Sequence, residues 1–171
     1  NRMNKGSSAS RNLGLKFAKG ELICFLDADD VWNSNFLDFH VHIFDEYPDI
    51  SMAYGPFIFW HSKVSNNWNQ ALDSVQRLKI RANRVIDAHT LFRMFLADED
   101  AVPSPSGVMF RHSAISMVAG WEEIFQGMYD DQALYSKLFL CGITIYVTDQ
   151  CLYQYRRHDQ SLCLIALKEN K

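Results

Sequence analysis

The sequence predicts an α/β fold, in which helices alternate with short apolar strands. The clearest observation is the apolar run at 22–26, which lies between two segments with helical spacing of apolar residues and is therefore predicted to be a buried strand of a parallel sheet. A second observation is that strand-like and helix-like segments continue to alternate after it. The length of 171 residues is also sufficient for one domain with its own core.

Capping residues, turn residues and apolar spacing place the elements in order. Ser7 and Ser8 are predicted to cap the first helix, and Gly20 to end it. The predicted helices cover 9–19, a segment containing 36–44 that ends before Pro48, a segment that Asp87 caps, 114–118 and 130–140. The predicted strands cover 22–26, 51–60 with an interruption at Gly55-Pro56, 108–110, 143–147 and 152–155, and the polar stretch 61–84 is predicted to be a loop or a short irregular helix.

The charge balance and the cysteine pattern exclude several classes of function. With 17 basic and 20 acidic residues the net charge is −3, which argues against a nucleic-acid-binding protein with a broad basic face. No apolar run is long enough to predict a transmembrane segment in this chain. The four cysteines include no CxxC pair, so we expect buried free thiols in a reducing compartment and a cytoplasmic location.

Three carboxylates follow the apolar run within four residues, at Asp27, Asp29 and Asp30. Without a partner they repel one another, and a divalent cation such as Mg²⁺ or Mn²⁺ would remove that repulsion. Because Mg²⁺ is usually bound by one or two carboxylates together with substrate phosphates, one interpretation is a clamp for a metal and a diphosphate. The alternative is a solvated acidic turn that caps the next helix. The position after a buried strand favours the clamp.

These carboxylates belong to the acidic tetrad DADD at 27–30, and the residues around the tetrad form one continuous block. It consists of NKG at 4–6, ASRNLG at 9–14, AKGELI at 18–23 and FLDADDVW at 25–32. This block resembles the family 2 glycosyltransferases of the GT-A fold, whose pattern runs from an N-x-G turn through an ARN-x-G helix and an A-x-GE-x-I strand to L-D-x-D-D, with Ser10 departing from the helix pattern. Weaker matches to the same family occur at 106–111, 120–121, 129–134 and 155–161.

The resemblance implies a fold and a domain organisation. We expect residues 1–171 to form a single GT-A-like domain with three layers, α/β/α, around a mixed and mostly parallel sheet. In the family, the first strands of the domain bind the nucleobase, and they would lie upstream of Asn4. The chain is therefore expected to lack these N-terminal strands and to be inactive alone.

The resemblance also implies a reaction: metal-dependent, inverting transfer of a sugar from a nucleoside diphosphate sugar, with a UDP-sugar as the expected donor. Asp29 would bind the Mn²⁺ or Mg²⁺, Asp27 would contact the metal or the donor's ribose, and His158 would be a late ligand to metal or phosphate. Asp131 would be the general base, and Asp130 beside it would raise its proton affinity. For this acidic pair, simple capping of a helix N-terminus is the alternative.

Further residues receive roles from the same resemblance. Arg11, Gly107, Arg156 and Arg157 would lie around the donor's phosphates, and Trp121 would stack on an acceptor sugar. Surface positions for the arginines and core packing for Trp121 are the corresponding structural alternatives. The acceptor is expected to be a saccharide or a lipid-linked molecule, as in the synthesis of cell-envelope polysaccharide, with the protein peripheral to the inner face of the membrane.

Two other functions remain open at this point. A haloacid-dehalogenase-like phosphatase also has an apolar strand followed by D-x-D, and there Asp27 would be the nucleophile and Asp29 the acid/base. A non-catalytic module that binds sugar nucleotides would retain the clamp but would not need Asp131. A covalent aspartyl-phosphate would support the phosphatase, and metal-dependent nucleotide binding without turnover would support the module.

Overall fold

A computed structural model describes residues 4–61, 73–97, 103–125, 128–158 and 161. The helices are α1 (Gly6–Phe17), α2 (Phe36–Glu46), α3 (Ala88–Leu96), α4 (His112–Met117) and α5 (Asp130–Leu140), with a 3₁₀ turn at Pro105–Gly107. The strands are β1 (Leu22–Cys24), β2 (Val31–Trp32), β3 (Met52–Tyr54), β4 (Ile58–His61), β5 (Ser74–Val75), β6 (Arg84–Asp87), β7 (Val108–Arg111), β8 (Thr144–Val147) and β9 (Tyr153–Arg157).

The central sheet has the strand order β1-β7-β3-β8-β6. The α/β class and the mixed character of the sheet are confirmed, but the expectation of a mostly parallel sheet is wrong. Only the β3–β8 pair is parallel, and the other three pairs are antiparallel. The strand after α1 is likewise antiparallel to its neighbour, β7, which comes more than 80 residues later in the sequence. An apolar run indicates that a strand is buried. It does not indicate the direction of a partner strand that is so distant in sequence.

A second sheet, β2-β9-β4-β5, lies beyond the point where the predicted strand 51–60 is interrupted. At Gly55 an added Cβ atom would lie 2.6 Å from the carbonyl oxygen of Gln150, so only glycine allows this close approach of the two backbones. The chain leaves the central sheet there after β3 and enters the second sheet as β4. The second sheet brings β9 next to β2, and β2 directly follows the acidic tetrad.

Alternation along the central strands produces the expected three layers. On β3, Met52 and Tyr54 pack into the larger core cluster, which includes α3 and α5, whereas Ala53 packs into a smaller cluster with Ile43 and Phe44 of α2. Helices therefore cover both faces of the sheet. This arrangement leaves the end of β1 and the start of α5 on the same side of the molecule, where α1 connects them.

The helices differ from the sequence prediction at particular residues. Asp87 caps α3 as predicted, since its carboxylate accepts the N–H of Thr90 at 2.9 Å. On α2, His40 is buried, whereas Leu37 and Val41 are 50% and 41% exposed, so only part of the apolar spacing in this helix faces the core.

Other sequence predictions can be compared only in part. Within the predicted irregular stretch, β5 is a strand, while residues 62–72 lie outside the described part of the chain. Cys24 is half-buried, and burial raises its pKa to about 12, but Cys141 is exposed. Cys163 lies outside the described residues. No helix among the described residues is long and apolar enough to cross a membrane.

Candidate active site

The three carboxylates that follow β1 point to three different partners. Both oxygens of Asp27 accept hydrogen bonds from the Arg11 guanidinium, at 2.6 and 2.9 Å. Asp29 contacts the Nε2 atom of His158 at 3.0 Å. Asp30 accepts the backbone N–H of Arg156 at 2.9 Å. The tetrad therefore connects α1 on one side with β9 on the other.

Asp30 is the buried member of the tetrad, with 8% of its surface exposed. The pKa of its carboxyl is raised to about 6, mainly by burial; bonds from Ser106 and the Arg156 N–H partly oppose the shift, and the nearby charges of Asp27 and Asp29 add to it. Its bond to β9 lies two residues before His158. Asp30 thus fixes the strand that brings His158 to Asp29.

The metal ligands predicted from the sequence are only partly brought together. Asp29 and His158 are in contact, and their side chains are 43% and 20% exposed, so solvent reaches both. Asp27 is directed at Arg11 instead, because one guanidinium nitrogen bonds to both of its oxygens. Among the described residues, no group of three or more His, Cys, Asp or Glu side chains has the arrangement of a metal site. A carboxylate and an imidazole do fit a cation whose other ligands come from substrate phosphates and water.

The two acidic residues that begin α5 have different surroundings. Asp130 is buried, and its Oδ2 atom accepts bonds from Ser7 at 2.8 Å, Ser8 at 3.3 Å and Arg11 at 2.8 Å. Asp131 is half-buried, and its carboxylate accepts the backbone N–H of Gln132 at 2.7 Å. Burial raises the pKa of Asp131, and the neighbouring charge of Asp130 raises it further, while Arg11 lowers it. The raised proton affinity agrees in direction with the sequence prediction, although desolvation is its main cause.

Arg11 and Trp121 occupy positions that the predicted roles did not include. The Arg11 side chain is 11% exposed and lies between the carboxylates of Asp27 and Asp130, so it is a bridge between two elements and does not present itself to solvent. Its guanidinium also lies over the Trp121 ring, 4.4 Å from the centroid. Trp121 is 2% exposed and packs edge-on against Phe25. Trp121 is therefore packed in the core, as its structural alternative predicts, and stacking on an acceptor sugar stays a prediction.

Gly107 has a packing role in this structure. An added Cβ atom would overlap the Tyr153 ring, and both residues are buried, so the absence of a side chain makes room for that ring. The neighbouring Ser106 is the residue that faces the tetrad, since its hydroxyl accepts the N–H of Asp27 at 3.1 Å. A contact between Gly107 and the donor stays a prediction.

The two arginines of β9 lie on opposite faces of the second sheet, because side chains alternate along a strand. The Arg156 guanidinium lies 5.5 Å from the centroid of the Trp60 ring, and Arg157 lies 4.3 Å from that of Phe59. Arg156 stands two positions before His158, whereas Arg157 stacks on the face that carries the aromatic core of this sheet. Only Arg156 is therefore placed toward the Asp29–His158 side.

Comparison with known proteins agrees with this arrangement. The model of glycosyl transferase family 2 matches residues 1–117. The chain belongs to glycosyl transferase family 2. Among curated proteins, it is 33% identical over 82 residues to the UDP-Glc:alpha-D-GlcNAc-diphosphoundecaprenol beta-1,3-glucosyltransferase WfgD of Escherichia coli. That match covers 48% of this chain and 30% of the relative.

Solved structures confirm the GT-A-like fold of this family 2 member. The chain is 20% identical to TarS of S. aureus (residues 1–349, complex with UDP-GlcNAc), with a TM-score of 0.63 over 93% of this chain and 41% of the other. The complex of TarS with UDP has a TM-score of 0.61 at 20% identity, over 96% and 45%. The chain thus spans less than half the length of these relatives.

Three residues of α1 make contacts around the candidate site that were not predicted from the sequence: Asn12, Ser7 and Ser8. Asn12 donates to the carbonyl of Trp121 at 2.9 Å and accepts its N–H at 2.8 Å, so one side-chain amide pairs with both backbone groups. Ser7 and Ser8 were expected to cap the helix, but they bind Asp130 instead. Serine at a helix start is a general capping signal, and nothing local in the sequence indicates a partner more than 120 residues away.

Proposed function

We propose that this chain forms the catalytic core of a glycosyltransferase that moves a sugar from a nucleoside diphosphate sugar to an acceptor hydroxyl, with inversion at the anomeric carbon. The observation that carries the proposal is the contact of 3.0 Å between Asp29 and His158. Arg11 joins the motif that contains Asp29 to the start of α5, through Asp27 and Asp130. Membership of glycosyl transferase family 2 supports the reaction class. A UDP-sugar is the proposed donor, in line with the name of the E. coli relative.

On the donor side, Asp29 and His158 would bind Mn²⁺ or Mg²⁺ together with the phosphates of the donor. When bound, the cation would stabilise the negative charge that develops on the leaving diphosphate. Asp30 contributes indirectly, since its bond to the Arg156 N–H fixes β9 and with it His158. The guanidinium of Arg156 would add positive charge on the same side. Asp27 is bound by Arg11 at both oxygens, which makes it a poor nucleophile and weakens the phosphatase alternative.

On the acceptor side, Asp131 would take the proton from the attacking hydroxyl. A base is most effective when its pKa lies close to the working pH, and burial raises the pKa of Asp131 toward that range. One positioned carboxylate is sufficient for a single displacement, in which the acceptor attacks from the face opposite the leaving diphosphate. Inversion would follow from that geometry.

The acceptor is proposed to be a saccharide or a lipid-linked saccharide. The E. coli relative is named for a diphosphoundecaprenol-linked acceptor. We therefore propose that the protein works on the cytoplasmic side, peripheral to the inner face of the membrane, in the assembly of a cell-envelope polysaccharide.

The decisive experiment uses the full-length protein that contains this chain. It is incubated with a series of UDP-sugars, Mn²⁺ and saccharide or lipid-linked acceptors, while UDP release is measured and the anomeric configuration of the product is determined by NMR. We expect UDP release that requires both the acceptor and the cation, and that stops when the cation is chelated. A covalent phosphate on Asp27 would instead support a phosphatase, and nucleotide binding without any turnover would support a binding module.

A further inference from the structure

One face of α1 connects the two acidic motifs. Arg11 lies one helical turn after the adjacent pair Ser7 and Ser8. All three side chains donate hydrogen bonds to the same oxygen, Oδ2 of Asp130. The other oxygen of Asp130 accepts the backbone N–H of Asp131 at 3.0 Å. Both oxygens of Asp130 therefore have partners, and this carboxylate joins α1 to the backbone of the residue proposed as the base.

Arg11 makes the second connection. One terminal nitrogen of its guanidinium bonds to Asp130 at 2.8 Å, and the other bonds to Asp27 at 2.6 and 2.9 Å. The Trp121 ring lies against the guanidinium, and Asn12 pairs with the Trp121 backbone. One side chain thus joins the end of β1 to the start of α5. A planar guanidinium with several fixed donors can do this, and a lysine ammonium cannot reproduce the geometry.

We propose that Arg11 and Asp130 are positioning residues, which together fix the Asp131 carboxylate relative to the end of β1 and determine its charge state. This inference rests on the proposed function, in which Asp131 is the base. It assigns Arg11 to the base and not to the donor's phosphates. It also separates the two members of the acidic pair, because Asp130 acts through the backbone and through its charge, and Asp131 through contact with the acceptor.

Three charged or titratable groups act on Asp131. Asp130 raises its pKa and Arg11 lowers it, in addition to the larger effect of burial. Tyr135, one turn further along α5, is fully buried, and its own pKa is raised well above the usual value, so it stays neutral at the working pH. Removing the positive charge of Arg11 should therefore raise the pKa of Asp131, and removing the negative charge of Asp130 should lower it. A purely structural role for the pair predicts no such opposite shifts.

The test compares Arg11→Gln, Arg11→Lys and Asp130→Asn in the full-length protein. The pKa of Asp131 is measured from its carboxyl-carbon NMR signal, which does not require activity, and kcat is measured against pH. We expect the pKa and the acidic limb of the kcat profile to move up in Arg11→Gln and down in Asp130→Asn. Arg11→Lys should keep the acidic limb of the kcat profile near its wild-type pH, because the positive charge remains. It should lower kcat, because an ammonium cannot bond to Asp27 and Asp130 with the geometry of the guanidinium. Arg84→Gln, at an exposed arginine of β6, is the matched control and should change neither quantity.

The possible outcomes are distinct. Equal shifts in Arg11→Gln and Arg11→Lys, or an unchanged Asp131 pKa in both Arg11→Gln and Asp130→Asn, would overturn the positioning pair and leave the proposed function intact. Opposite pKa shifts in a protein that transfers no sugar would support the pair and contradict the proposed function. If Arg11→Gln fails to fold, Arg11→Lys and Asp130→Asn still decide, since the first should preserve the pKa and the second should lower it.

Discussion

The acidic tetrad after β1 and the acidic pair at the start of α5 share one feature: in each, one carboxylate is bound to Arg11. In the tetrad this is Asp27, and in the pair it is Asp130. A second carboxylate in each motif has a different partner. Asp29 contacts His158, and Asp131 accepts the backbone N–H of Gln132 at the start of α5. The two motifs are thus joined by one guanidinium, and each has a second carboxylate that is proposed to take part in the reaction.

The two remaining carboxylates differ in their exposure to water. The Asp29 side chain is 43% exposed, which suits a ligand that exchanges water for a cation and a substrate phosphate. Asp131 is more deeply placed, and its pKa is raised chiefly by desolvation, which suits a group that must accept a proton near neutral pH. If the proposed roles are right, burial would distinguish the metal-binding carboxylate from the base more than the neighbouring residue in the motif does.

The largest expected effect comes from Asp131→Asn, which removes the proton-accepting oxygen and keeps the shape of the side chain. Transfer should fall by about 10²- to 10⁴-fold, the usual contribution of a positioned base. Donor affinity should stay unchanged, because Asp29 and His158 remain. Steady-state transfer kinetics and calorimetric titration of the donor measure the two quantities separately.

Asp130→Asn is the matched comparison for this prediction. It should reduce transfer less than Asp131→Asn but reduce stability more, by about 1–3 kcal/mol, because hydrogen bonds from Ser7, Ser8 and Arg11 to a buried carboxylate are weakened. If Asp130→Asn abolishes transfer while Asp131→Asn retains it, the assignment of the base is wrong by one residue. If both variants transfer normally, the pair is only a helix cap.

The second expected effect concerns the donor side. Asp29→Ala should abolish the Mn²⁺-dependent part of nucleoside diphosphate binding, because the carboxylate that would join the cation to the protein is lost. Asp45→Ala, at an exposed position of α2, is the control and should bind as the wild type does. Calorimetric titration of UDP with and without Mn²⁺ measures the difference. Unchanged metal-dependent binding in Asp29→Ala would remove the tetrad from the donor site.

The sequence predicted the elements of this fold better than their arrangement. The strand after α1, the helix that Asp87 caps and the helix beginning at Asp130 all occur where periodicity and capping place them. The strand directions and the division into two sheets were not predicted, because β7 pairs with β1 across more than 80 residues of chain. Local sequence patterns indicate which residues are buried and where a helix begins or ends. They do not indicate which distant strand pairs with a given strand.

The residues of the candidate site were likewise predicted better than the contacts between them. The motif residues Asp29 and His158 come together although 129 positions separate them, in keeping with the family pattern. The partners of Asp27, Asp130 and Trp121 could not be predicted, since Arg11 and Asn12 lie on a helix where an exposed face and a contact face look alike in sequence. Trp121 is buried because Arg11 and Phe25 cover its ring, and a lone tryptophan after a glycine does not indicate that.

The last expected effect concerns stability and not transfer, at the buried third carboxylate of the tetrad, Asp30. Its pKa is about 6 in the folded protein against an ordinary value of 3.8, so the folded state binds this proton more tightly than the unfolded state does. The free energy of unfolding should therefore decrease as the pH rises from about 4 to about 6, by up to about 3 kcal/mol. Asp30→Asn stays neutral throughout, and its side-chain oxygen can still accept the Arg156 N–H.

We therefore expect Asp30→Asn to be as stable as the wild type near pH 4 and more stable at pH 8. Urea unfolding of both proteins across this range measures the difference, and Asp45→Asn at the surface should follow the wild type at every pH. The tetrad would then contain a residue that lowers stability at neutral pH while fixing β9 beside Asp29 and His158, the proposed metal-binding pair. If Asp30→Asn is less stable than the wild type at pH 8, the bond to β9 requires the charge, and burial does not govern this carboxylate.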